Sequence, residues 1–274
     1  MKDENRIDYT LLDRPEVLMY LFHPRPEPGG SHFITADDMN RPPNVTDVMI
    51  PVAQDTAIGA RFHAAAKSGG NLLFFHGNGE IVADYDELGG VYNQMGINLL
   101  AVDYRGYGRS TGKPTVSAMM QDCHVIFNFV RDWLQQNHFE GPLILMGRSL
   151  GSASVLELAA AYKDAVDGLI VESGFAHAGP LLQLLGINLQ ALGYREESGF
   201  GNIEKIRQFD KPTLIIHAEF DHIIPFSDGQ ALYDACPSAD KTLLRIPRAN
   251  HNNIFMYGLQ EYLAAVRKLV EKAL

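Results

Sequence analysis

The chain has 274 residues, 46% of them hydrophobic and 20% charged, which suits one domain with a large core and excludes disorder and fibrous repeats. Lys and Arg total 23 against 33 Asp and Glu, a net charge of −10 that repels phosphate backbones and argues against a general nucleic-acid binder. The two cysteines, Cys123 and Cys236, form no CxxC pair, so neither a zinc knuckle nor a disulfide framework is expected.

The opening MKDENRIDY mixes acids and bases and leads into no apolar core with a small-residue cleavage site. No window holds about 18 uninterrupted apolar residues. The expectation is a cytoplasmic protein with no transmembrane segment. Residues 1–44 read as a peripheral segment, with Asp13 capping a short helix that starts at Arg14-Pro15 and carries Val17, Leu18, Tyr20 and Leu21. Pro24, Pro26, Pro28, Gly29 and Gly30 then stop regular structure, as does Pro42-Pro43.

From there strands and helices alternate. Val45–Val52 and Ala57–Ala64 read as strands joined by the turn Gln54-Asp55-Thr56. NLLFFH (71–76), INLLAVD (97–103), PLILMG (142–147), GLIVE (168–172), PTLIIHA (212–218) and TLLRIP (242–247) read as further strands. Helices are expected over 85–95, 116–136, 149–162, 229–235 and 254–272. The strands from Asn71 onward are continuous apolar runs, which suits strands covered on both faces, as in a parallel sheet flanked by helices. The whole of 1–274 is read as one α/β domain. Residues 173–210, rich in short apolar stretches and broken by Gly186, Gly193, Gly199 and Gly201, read as a lid-like insertion.

The chemistry concentrates in Gly147-Arg148-Ser149-Leu150-Gly151, a GxSxG between a strand and an Ala/Leu-rich helix. That context forces a turn sharp enough to strain the serine backbone and lift its hydroxyl clear of the sheet. A hydroxyl is a weak nucleophile and needs a base. His251, in the loop after the strand TLLRIP, supplies one. A carboxylate must orient that base and stabilise the imidazolium. Asp221, after the strand PTLIIHA, fills that role, with Glu172 as its rival, and Asp103 reads as a turn residue. The order Ser149, Asp221, His251 is that of one hydrolase fold. The oxyanion donors are assigned to the backbone N–H groups of Leu150 and of Asn78, in His76-Gly77-Asn78-Gly79-Glu80. His76 reads as structural.

These pieces resemble the serine-hydrolase branch of the α/β-hydrolase superfamily that includes the Bem46-like proteins and eukaryotic protein depalmitoylases. The matching segments are FFHGNGE, AVDYRGYGRSTGKP, LMGRSLGSAS, VESGF, LIIHAEFDHIIPF and IPRANHNN. The resemblance implies an eight-stranded, mostly parallel sheet with helices on both faces. It also implies a triad of Ser149, Asp221 and His251, with oxyanion donors at Asn78 and Leu150. Two features depart from it. Arg248 stands where relatives often carry glycine, and no cysteine precedes Cys123, so membrane-anchored depalmitoylation is not expected.

Other signals fail. GYGRSTGK (106–113) has Tyr107 where a phosphate-binding loop needs glycine and Pro114 where it needs Ser or Thr; HGNG has Val82 in place of the third dinucleotide glycine. No HExxH or carboxylate cluster suggests a metal, and the serine disfavours the aspartate-nucleophile dehalogenases and epoxide hydrolases. Leu181, Leu182, Leu184 and Leu185 suit an acyl pocket or lid packing equally. The reading is a serine hydrolase of a small acyl ester or thioester, needing no cofactor or metal, with short-to-medium acyl preference. Its alternatives are a peptidase or amidase, and an inactive scaffold. Activity is expected to fall as pH drops through about 6–7, because the imidazole must be neutral and an ordinary histidine titrates near about 6.5.

Overall fold

The structure, a computed structural model, describes residues 7–28 and 42–274. The chain forms strands β1 (Val45–Ala53), β2 (Thr56–His63), β3 (Asn71–Phe75), β4 (Asn98–Val102), β5 (Leu143–Arg148), β6 (Gly168–Glu172), β7 (Thr213–Ala218) and β8 (Lys241–Ile246). All eight join one sheet in the order β1-β2-β4-β3-β5-β6-β7-β8. β1 and β2 run antiparallel to each other, and β2 antiparallel to β4, whereas every pairing from β4 to β8 is parallel.

Continuous apolar strands follow from this topology, because successive side chains point to opposite faces and both faces are covered. Leu73, Phe75, Leu100, Val102 and Leu145 enter one core with the helices Val116–Gln136 and Gly151–Ala161. Their neighbours Leu72, Phe74, Leu99, Ala101, Ile144 and Met146 enter the other, with Tyr92, Tyr262, Val266 and Leu269 from the helices Asp86–Gln94 and Ile254–Ala273. The remaining long helix, Phe226–Ala235, begins after Pro225, three residues before the expected start.

Residues 7–28 are less peripheral than the sequence suggests. Leu12, Val17, Leu21 and Phe22, at 0–5% exposure, belong to the first core. The helix Pro15–Leu21 forms as expected, but no side chain caps it. Asp13 instead accepts a hydrogen bond from the Ser117 N–H at 3.0 Å, tying the segment to the first turn of Val116–Gln136. The doublet Gly29-Gly30 and residues 1–6 lie outside the described residues. Between β6 and β7 the insertion resolves into the short helices Ala178–Leu184, Leu189–Leu192 and Asn202–Ile206 with a single 3-10 turn at Glu196–Ser198.

The strand order places the site. β3 lies between β4 and β5, so the chain leaves β3 toward one side and returns on the other, opening a crevice at the carboxyl ends of β3 and β5. The register pairs Phe75 with Gly147, Arg148 with Glu172 and Ala218 with Ile246. The turns after all these strands therefore emerge along one sheet edge.

Candidate active site

Ser149 follows β5 with φ +50°, a left-handed conformation that side-chain-bearing residues rarely adopt. Glycine neighbours make the turn possible. A Cβ at Gly147 would stand 2.5 Å from the Gly151 carbonyl oxygen, and one at Gly151 would overlap the Phe75 carbonyl. Leu150 opens the helix Gly151–Ala161, at a helix start where backbone N–H groups lack intrahelical acceptors.

The Ser149 hydroxyl lies 3.0 Å from His251 Nε2, and His251 Nδ1 lies 2.7 Å from Asp221 Oδ2. With Nδ1–H donating to the carboxylate, Nε2 is left as the acceptor facing the serine. The other Asp221 oxygen accepts the backbone N–H groups of Ile223 and Ile224 at 3.0 and 2.9 Å. Burial pushes the Asp221 carboxyl upward, but the His251 hydrogen bond and these two N–H groups outweigh it and hold its pKa below the ordinary value. Beneath it, His217 donates through Nε2 to the Ile224 carbonyl at 2.8 Å, and burial pushes its pKa down.

Glu172 is engaged elsewhere. It accepts Arg148 Nε at 3.0 Å and the Tyr262 hydroxyl at 2.8 Å. Burial pushes its pKa up, with Arg148 opposing. Arg148 also pairs through Nη1 with Glu80 and donates through Nη2 to the His251 carbonyl at 2.8 Å. Glu80 in turn accepts the Gly77 N–H and the Tyr85 hydroxyl, each at 2.6 Å. Burial alone would pull the Arg148 pKa down, but the Glu80 and Glu172 carboxylates more than offset it. One buried guanidinium thus joins the loop after β3, the serine turn and the histidine loop. Sequence reasoning missed this role because Arg148 occupies a variable place in GxSxG and its partners lie 68, 24 and 103 residues away.

Residues 66–193 match the family model described as serine aminopeptidase, S33. The chain is 30% identical over 230 residues to alpha/beta hydrolase domain-containing protein 17C of Mus musculus, covering 81% of this chain and 66% of that protein. It is 31% identical over 214 residues to protein 17B of the same name in Homo sapiens, covering 74% and 67% respectively. The chain belongs to the α/β-hydrolase superfamily. The fold agrees: an esterase of Pyrococcus furiosus superposes with a TM-score of 0.69 at 16% identity, over 87% of this chain and 95% of that one. The chain therefore spans just under two thirds of the mouse relative's length.

Within this α/β hydrolase, the remaining residues singled out in the sequence are placed as follows. His76 is structural, its Nε2 3.1 Å from Asp103 Oδ1. Asp103 also accepts the Val82 N–H at 3.0 Å, so it braces the loop after β3 more than its own turn. Arg248 adopts φ +64°, the conformation that glycine favours, and its guanidinium sits 5.4 Å from the Tyr257 ring centre. Leu182 is fully buried and Leu181 and Leu185 pack on the same core, while Leu184 is exposed, which favours lid packing over an acyl pocket. A groove of about 1030 Å³ beside Tyr9, His124, Glu157 and Lys205 contains none of Ser149, Asp221 and His251. Among the described residues no His/Cys/Asp/Glu group is arranged to hold a metal ion, and no helix is long and apolar enough to cross a membrane.

Proposed function

We propose that the protein is a serine hydrolase of acyl esters or thioesters. The observation that carries this reading is the unbroken chain from Asp221 through His251 to Ser149, with contacts of 2.7 and 3.0 Å. In the first half-reaction His251 Nε2 takes the Ser149 proton as Oγ bonds to the carbonyl carbon. The carbonyl oxygen becomes an oxyanion facing the backbone N–H groups of Asn78 and Leu150. Collapse breaks the bond to the leaving alcohol or thiol, which receives the proton from His251. Water then adds to the acyl-enzyme, giving its proton to His251, and the acid departs as Ser149 recovers that proton. Asp221 stays ionised throughout and stabilises the imidazolium.

A fluorophosphonate probe and p-nitrophenyl esters from acetyl to palmitoyl test the proposal. Wild type should be labelled covalently, and Ser149→Ala should lose labelling and about 10⁴–10⁶-fold in turnover. Folded wild-type protein that escapes labelling would support the inactive-scaffold alternative. The substrate preference is proposed to be short-to-medium acyl chains, and clear preference for palmitoyl would overturn that part. The serine aminopeptidase description matched by residues 66–193 favours a second reading, amide cleavage. Aminoacyl p-nitroanilides hydrolysed faster than the matching esters would favour it.

A further inference from the structure

We propose that Tyr107 and the strap Phe22–Glu27 are positioning elements for the oxyanion loop, acting through the Asn78 side chain. The inference rests on the reading of Asn78 as an oxyanion donor. The strap is anchored by Leu12, Val17, Leu21 and Phe22 in the core, and Phe22 turns extended as the chain leaves the helix Pro15–Leu21. The His23 N–H donates to Asn78 Oδ1 and to the Tyr107 hydroxyl oxygen, both at 2.8 Å. The Tyr107 hydroxyl donates to the same Asn78 oxygen at 2.7 Å. Asn78 Nδ2 donates to His23 Nδ1 at 2.8 Å, and Arg25 Nε donates to the Gly79 carbonyl at 2.7 Å. Arg25 further pairs with Asp84, and its carbonyl accepts the Gly108 N–H at 2.9 Å, which binds the strap to the Tyr107 turn.

The Asn78 amide oxygen thus takes two donors and its nitrogen gives one bond, so the side chain is committed to neighbours on either side of it. Its effect is to fix the direction of its own backbone N–H. Within the loop Glu80 holds the Gly77 N–H at 2.6 Å, and the anchor on Asn78 itself comes from the strap and Tyr107. Gly77 and Gly79 flank Asn78, Gly79 sits at φ +78°, and glycines leave a backbone free to turn. Oxyanion donors act only when held in place before charge develops. Tyr107 is itself immobilised, fully buried with its ring 5.6 Å from that of Tyr104 and 5.7 Å from that of His76.

The test is a double-mutant cycle on ester turnover. Tyr107→Phe keeps the ring and removes the hydroxyl, and it should lower kcat by about 10- to 100-fold while KM changes by less than about 2-fold. In an Asn78→Ala background, which keeps the backbone N–H but lacks the anchored amide, the same change should cost less than about 2-fold. A merely structural tyrosine would cost the same factor in both backgrounds, and that result would overturn the inference, as would an unchanged kcat in folded Tyr107→Phe. If Tyr107→Phe does not fold, His23→Ala at its exposed position carries the same cycle, with an expected loss of about 3- to 10-fold that vanishes in Asn78→Ala. A kcat unchanged by His23→Ala, or lowered equally in both backgrounds, overturns the inference likewise. Turnover that survives Ser149→Ala would overturn the parent reading and this one with it. Turnover abolished by Ser149→Ala but indifferent to Tyr107→Phe would sink the strap alone.

Discussion

Replacing Arg148 with Met tests the buried clamp. The guanidinium meets Glu172, Glu80 and the His251 carbonyl, and Glu172 is only 2% exposed. Met fills part of the volume but leaves two carboxylates facing each other without a cation. Removing one partner of a buried ion pair costs about 3–5 kcal/mol, because the stranded charge keeps its desolvation penalty. With an unfolding entropy of about 2.1 cal/mol/K per residue, a chain of this length loses about 5–9 °C in Tm. The pH dependence gives a sharper check. Glu172 is already pushed up by burial, and Arg148 is what opposes the push. A carboxyl whose folded pKa is raised favours the native state at low pH and loses that contribution as pH rises through the raised value. Without Arg148 the raise grows, so the deficit of Arg148→Met should be smaller at acid pH than at alkaline pH. Differential scanning calorimetry from acid to alkaline pH is the assay. A deficit below about 1 kcal/mol, or one independent of pH, would refute the clamp. Ester turnover should fall as well, since the His251 carbonyl loses its donor, and Arg148→Lys should recover part of both.

Three further outcomes follow from the geometry. Asp221→Asn leaves the packing intact but favours the wrong imidazole tautomer, so kcat should drop by about 10⁴-fold with little change in Tm; equal loss from Glu172→Gln alone would reassign the acid. Leu12→Ala removes a fully buried side chain from the amino-terminal segment and should cost about 2–5 kcal/mol in urea unfolding, which a loosely attached segment would not show. Glu157, bonded by Lys205 at 2.6 Å and His124 at 3.2 Å, has a pKa that these partners lower to about 2 against the upward push of burial. A lowered acid stabilises above its unfolded value and loses that stability as pH falls through the folded one. Wild type should therefore lose about 3 kcal/mol more than Glu157→Gln between about pH 5 and pH 2, measured by acid titration of the urea midpoint.

Much of the architecture is local in origin. Runs such as NLLFF, NLLAV and LIIHA are apolar without alternation, and a strand covered on both faces needs that pattern. Ser149 was recognisable because a strained strand-to-helix turn requires glycine on both sides within five residues. Asp221 and His251 could be named because each follows a strand closely, and the parallel order brings those strand ends to one edge. The residues that escaped notice act across long separations. Arg148 carries no mark in sequence of its three partners, and Asp13 looked like a helix cap until the Ser117 N–H came within 3.0 Å. Val17 and Leu21 looked like a minor helix because the surface they cover belongs to strands and helices formed much later in the chain.

The amino-acid order by itself determined the layered α/β arrangement and the strained serine turn, and it marked Ser149 and His251 as candidates, since each depends on short-range backbone and burial preferences. Only the tertiary structure decided which carboxylate faces His251, what holds the Arg148 guanidinium, and that His23 and Tyr107 grip Asn78. Those outcomes depend on register between strands and on residues 24 to 103 positions apart meeting within hydrogen-bond distance, and no local preference encodes such a meeting.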